Sequence, residues 1–173
     1  MIMPHLDAAY NLARWLLRSD EDAEEAVQEA YLRAYRFFDS FRGEDGRAWL
    51  LTIVRNACYT LRGQQMGAGV CEEFDEQIHR QELAEVESDN RFCRDPADLV
   101  IERAEREWVN HAIEELPVAF REVLVMRELE ELSYREIAKI IDIPLGTVMS
   151  RLARGRRMLH EALVARARKE SPQ

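Results

Sequence analysis

Thr147, Ser150, Arg151, Arg154 and Arg157 recur at spacings of three and four residues, so a helix would align them along one face. Leu145, Val148, Leu152 and Leu159 fall on the opposite side and make an apolar stripe. Hydroxyls and guanidinium groups in that register do one kind of chemistry: they hydrogen-bond to phosphates and to base edges in a major groove. A plain amphipathic helix with solvated arginines carries the same residue types, and the segment before it separates the two readings. Ser133 and Glu136 have the spacing of a capping box, and Ile137, Ala138 and Ile141 form a short inward face with one residue small enough for a close helix crossing. Asp142 stands where the chain must turn and tolerates a left-handed conformation better than most residues, and Pro144 starts the following helix. Cap, small residue, turn and basic helix together predict a helix-turn-helix.

A second cationic set lies nearer the N-terminus. The helix expected over 45–62 buries Leu50, Ile53, Val54, Ala57 and Leu61 and leaves Arg47, Arg55, Tyr59 and Arg62 on or near its other side, with no acid after Asp45. Arginines interleaved with a tyrosine suit a surface that follows phosphates and stacks an unpaired base, although a solvated face has the same composition. The preceding loop FRGEDG, residues 41–46, is either a simple turn or a pocket for an extruded base. Asp22, Glu25, Gln28 and Glu29 make an outward acidic stripe that, by itself, reads as a solvated face near a helix N-terminus.

Bond-making chemistry finds little support. His5, His79, His111 and His160 have no evident nucleophile beside them, and no glycine-rich phosphate loop occurs. Cys58, Cys71 and Cys93 are widely spaced and odd in number, which predicts reduced thiols. His79 and Cys93 are two ligands short of a structural metal site. The expectation is a binding protein with no cofactor and no metal.

The elements that must position these residues are helical throughout. Leu12, Trp15 and Leu16, then Ala23, Ala26, Val27, Ala30, Tyr31, Ala34 and Phe38, keep helical spacing, and no alternating pattern competes. Ser19 with Asp20, and Asp45 with Gly46, supply helix starts, so the first 63 residues predict a three-helix bundle. After Arg62 the periodicity fails. From Gly63 to Asp98 ten acids face three arginines, whereas from Thr147 to Lys169 seven bases face Glu161 alone, so a net charge of -9 conceals a basic end. Helical spacing returns at Leu99, Val100, Ala104, Trp108, Ala112 and Ile113, and Pro117 is expected in the first turn of a new helix. The chain is therefore read as all-α: two small helical domains at 1–63 and 105–173, joined by a flexible acidic linker at 64–104. With 173 residues, 47% of them hydrophobic, and no apolar run long enough to span a bilayer, the expected location is the cytoplasm without membrane insertion.

Four segments in this order, DAEEAVQEAYLRAY (22–35), FRG (41–43), AWLLTIVRNAC (48–58) and LSYREIAKIIDIPLGTVMSRLARGRR (132–157), closely resemble the extracytoplasmic-function sigma factors of the sigma-70 family. The resemblance covers both domains and leaves out mainly the linker. It implies that the first domain is sigma region 2 and the last is region 4, which carries the helix-turn-helix. By the same resemblance Asp22, Glu25, Gln28 and Glu29 lie where region 2 docks on the clamp helices of the largest subunit of core RNA polymerase. Phe41, Arg42, Arg55, Asn56, Tyr59 and Arg62 lie where the minus-10 element is melted and read, and Thr147, Ser150, Arg151, Arg154 and Arg157 where the minus-35 element is read. Promoter DNA and an anti-sigma factor are the further partners implied. Met149 and Ala153 depart from the polar, basic or aromatic residues common at those positions, so the family does not supply the minus-35 sequence.

The 33 residues from Gly63 to Asp95 reach about 110 Å when extended but about 32 Å as a relaxed coil. Two duplex elements about 25 base pairs apart are about 85 Å distant, so the tether spans them only when stretched. Two rival readings stay open at this point: a self-sufficient dimeric helix-turn-helix regulator, and an acidic helical adaptor that binds protein alone.

Overall fold

The computed structural model describes residues 3–38, 41, 45–66 and 96–170, and among them every regular element is a helix. After a single 3-10 turn at Met3–His5 come α1 (Leu6–Leu17), α2 (Asp20–Arg36) and α3 (Gly46–Met66). The second set comprises α4 (Pro96–Glu115), α5 (Val118–Glu128), α6 (Tyr134–Ile141) and α7 (Leu145–Glu170).

Local chemistry accounts for the corners. Arg18 takes the left-handed conformation that ends α1, and Ser19 caps α2 at once by accepting from the Asp22 amide at 3.3 Å. Asp45 opens α3 by accepting from the Ala48 amide at 3.0 Å. The buried face of α2 is built from Ala23, Ala26, Val27, Ala30 and Ala34, whose small side chains let α1 and α3 approach closely around Leu12, Leu16, Leu50, Leu51 and Val54. Both members of the capping box at Ser133 and Glu136 form, and Asp142 is left-handed with φ 61°. Pro117 occupies the N-cap of α5, one position before the first-turn site expected of it.

Three boundaries and faces differ from expectation. Helix α3 runs on to Met66, and α4 begins at Pro96, so residues 96–104, read as linker, are helical. Proline needs no amide partner in a first turn, and Leu99, Val100 and Ala104 then continue the helical spacing. Leu145, assigned to the inward stripe of α7, is 41% exposed at the first residue of the helix. The acidic segment 67–95, with His79, Cys71 and Cys93, and Arg42 of the 41–46 loop lie outside the described residues.

The two helical sets do not stand apart. Helix α1 packs on α5 and α3 packs on α6, so one continuous apolar cluster runs from Ala8 to Leu152. Helix α5 shows the consequence: Phe120, Arg121, Glu122, Val123, Leu124, Val125 and Met126 are all buried. A helix buried on every side must be covered by more than its own bundle, and here the helix-turn-helix covers part of it and the N-terminal bundle the rest.

Candidate nucleic-acid interface

Helix α7 is held by Val148 and Leu152, which are fully buried, and by the turn at Asp142, Ile143 and Pro144 that sets its entry angle. That anchoring turns the opposite face outward. Ser150 is exposed and its hydroxyl donates to the Thr147 carbonyl at 3.0 Å, while Thr147 and Arg154 are half-buried. Arg157 is the most open cation of the set and lies 3.8 Å from Glu161, one turn on. Met149 is 53% exposed on the same two N-terminal turns as Leu145, so an apolar pair accompanies the hydrogen-bonding residues. Arg156, not singled out from the sequence, ion-pairs with Glu128 of α5 at 2.6 Å, and that hydrogen bond raises its pKa.

Of the residues expected at the N-terminal DNA face, Asn56 is exposed and Phe41 stacks at a tilt on Trp49, with 4.9 Å between ring centroids. Arg55, Tyr59 and Arg62 are not on an open surface. The Arg55 guanidinium reaches both oxygens of Glu122, with Nε at 2.8 Å and NH2 at 3.3 Å, and it also lies over the Tyr59 ring at 4.5 Å. The Tyr59 hydroxyl donates to the same carboxylate at 3.0 Å, and Arg151 of α7 approaches it at 3.6 Å. Glu122, only 1% exposed, thus gathers two residues of the N-terminal face and one of the C-terminal face. Burial by itself would lower the Arg55 pKa, but the hydrogen bonds and charge of Glu122 prevail and raise it. Burial, followed by the charge of Glu122, pushes the Tyr59 phenol well above its ordinary value.

A second buried acid repeats the arrangement. Glu130, in the α5–α6 turn and 6% exposed, holds Arg47 of α3 at 2.6 Å and accepts from Asn11 of α1 at 3.4 Å. Arg62 takes a different role and donates to the Leu16 carbonyl at the end of α1, at 3.3 Å. Arg121, 3% exposed, donates to the Leu16 carbonyl at 3.4 Å and to the Glu114 carbonyl, yet its Nε has no partner. Burial, then the nearby Arg18 and Arg62, bring its pKa down to about 10. The sequence did not single out Glu122, Glu130 or Arg121. For Arg121 and Glu122 the one signal is that charges interrupt an otherwise apolar α5, while Glu130 lies beyond that helix, and neither acid's sequence position names a partner 67 or 83 residues away.

The acidic stripe expected on α2 is only partly open. Glu25 and Gln28 are exposed, Asp22 and Glu29 are half-buried, and Glu29 accepts from Arg33 at 2.7 Å. Beyond it, Leu32, Tyr35, Phe37 and Phe38 stay exposed at the C-terminal end of α2.

Comparison with known proteins divides the chain at the same place. The family model for sigma-70 region 2 matches residues 1–66, and that for sigma-70 region 4 matches residues 106–159. The ECF RNA polymerase sigma-E factor of Escherichia coli strain K12 is 35% identical over 139 residues, covering 78% of this chain and 70% of that protein. The sigma-E factor of Haemophilus influenzae is 32% identical over 161 residues, 88% of this chain and 79% of its own length. Among solved structures, the sigma factor RpoE of Bartonella quintana in complex with the anti-sigma factor NepR aligns over 94% of this chain and 93% of its own, with 27% identity and a TM-score of 0.66. CnrH in complex with the cytosolic domain of CnrY shares the fold at a TM-score of 0.63 and 22% identity, over 95% of this chain and 85% of its own.

Proposed function

This chain belongs to the extracytoplasmic-function RNA polymerase sigma factors of the sigma-70 family, and from that premise we propose how its two helical units divide the work of starting transcription at chosen promoters. The N-terminal unit docks on core RNA polymerase through Asp22, Glu25, Gln28 and Glu29, which face the clamp helices of the largest subunit. Phe41, Arg42, Arg55, Asn56, Tyr59 and Arg62 take the minus-10 element as it opens. A guanidinium and a phenol at one helix face supply phosphate pairing and base stacking, so melted DNA gains contacts that duplex DNA does not. The C-terminal unit lays α7 in the major groove of the minus-35 element. Thr147, Ser150, Arg151, Arg154 and Arg157 contact phosphates and base edges, and exposed Met149 suits the methyl group of a thymine. The chain binds and positions, while core polymerase joins the nucleotides. An anti-sigma factor is the partner proposed to hold it inactive, as NepR is bound to the Bartonella relative.

One observation carries this reading: two sigma regions, 2 and 4, are matched in order on separate helical sets. Neither rival accounts for the first region. A dimeric operator-binding regulator needs no polymerase-docking unit, and a protein-only adaptor needs no basic α7. Permanganate footprinting of a minus-10 element with core polymerase and this chain tests the division of labour. Thymine reactivity is expected with the parent chain and is expected to fall when Arg55 and Tyr59 are replaced by alanine; equal reactivity in both would remove the minus-10 assignment.

A further inference from the structure

We infer that the N-terminal tip of α7 selects bases without using charge: Leu145 and Met149 form an apolar edge that takes thymine methyl groups, and Gly146 beside them lets the tip seat close against the bases. The inference rests on the reading above, in which α7 enters the major groove of the minus-35 element, and names what it selects there.

From Pro144 to Ser150 no residue is charged, and Pro144, Leu145, Gly146, Met149 and Ser150 are exposed. The cations start only at Arg151 and follow at Arg154, Arg156 and Arg157. Leu145 and Met149, 41% and 53% exposed, stand one turn apart, so their side chains are neighbours on the helix surface. The core does not call on them, because Val148 and Leu152 fill the inward side of these turns. Ser150 spends its hydroxyl proton on the Thr147 carbonyl, which leaves the tip poor in the donors that guanine requires and without the side-chain amide that pairs with adenine. Only thymine offers an apolar group in the major groove, its C5 methyl, and an apolar edge distinguishes that base from cytosine.

Gly146 adds a separate observation. Glycine is a poor helix former, yet a Cβ at Gly146 would meet nothing within 4 Å, so no packing inside the chain asks for its absence. Gly155, on the same helix, is the contrast: a Cβ there would lie 3.5 Å from Phe120. The space that Gly146 leaves is on the face it shares with exposed Ser150, one turn on, where the base edges approach. Continuity with the cationic turns that follow favours DNA over a protein surface as the cover of this edge.

The test uses core polymerase loaded with the full chain. Run-off transcription from a library randomised at the minus-35 element yields the preferred sequence, and each thymine in it is replaced in turn by deoxyuridine, which removes the methyl alone. Fluorescence anisotropy of labelled promoter then measures binding to the loaded polymerase. At one or two positions the replacement is expected to weaken binding about fourfold, the worth of burying one methyl. With Leu145→Ala and Met149→Ala combined, that penalty is expected to vanish, while thermal melting stays at the parent value because both side chains are exposed. Gly146→Ala is expected to weaken binding to every promoter that has the element and to leave melting unchanged or higher. A preferred element with no methyl-sensitive thymine overturns the inference, and so does a methyl penalty that persists in the double variant. A loss in the double variant that is equal on promoters with and without the element marks a protein contact and overturns it too. If the loaded parent selects no minus-35 sequence, the functional reading falls; if it selects one without methyl dependence, only this inference does.

Discussion

Cys58 is fully buried in α3, and burial pushes its thiol up to about 12. Its thiolate fraction near neutrality is negligible, so iodoacetamide at pH 8 should leave Cys58 unmodified in the folded chain and alkylate it after denaturation, as read by mass spectrometry. The same shift has a thermodynamic sign. Below the ordinary thiol value of 9.0 both folded and unfolded chains hold the proton; above it the unfolded chain ionises first, so stability is lost as pH rises from about 9 toward 12. Tyr59, also raised, contributes in the same direction above its ordinary 10.0. Thermal melts at pH 8 and 10.5 should show the decline, and Cys58→Ala should lessen it; a flat profile would contradict the burial argument. At this scale the sequence discloses candidate groups but not what they touch. Arg55, Tyr59 and Arg151 were legible as cations and a phenol on helix faces, whereas their convergence on Glu122 depends on tertiary packing across 67 residues or fewer, which no periodicity records.

At the α6–α7 corner local rules sufficed, because capping and turn chemistry act over a few residues. Removing the cap with Ser133→Ala should cost about 1 kcal/mol in urea unfolding, since the Glu136 amide loses its hydroxyl acceptor while the residue-133 amide can still donate to the Glu136 carboxylate. Asp142 has φ 61°, so Asp142→Gly should be neutral or stabilising by up to about 1 kcal/mol, and Asp142→Ile should destabilise by about 1–2 kcal/mol. The opposite order would show that the corner is not left-handed in solution. Helix α3 was harder to read. Its inward face includes Leu51 and Cys58 beside the expected Leu50, Val54 and Ala57, because a second packing surface, α6, widens the buried arc beyond one stripe. The same cause buries Arg121 and Glu122 in α5, where sequence pattern favours surface positions for charge.

Among the described residues, the all-helical composition and the two helical sets follow from periodicity and charge, while the contact between them does not. Its buried ion pairs join residues far apart in sequence, and the separation of the two readings along the chain suggested units that act apart. Glu25 and Gln28 of the α2 stripe are exposed in the packed arrangement, and Asp22 and Glu29 are half-buried. Replacing Asp22 and Glu25 by lysine should abolish co-purification with core polymerase while leaving helicity unchanged; normal co-purification would refute that docking face. Under the proposed function, this chain gives polymerase its choice of start site through the helices of its two units. Run-off transcription from a promoter library, with purified core polymerase and the full chain, measures that choice. A defined subset of start sites is predicted to appear only when the chain is present and to fade when Arg151 and Arg154 are both alanine. Start sites that are the same with and without the chain would contradict it.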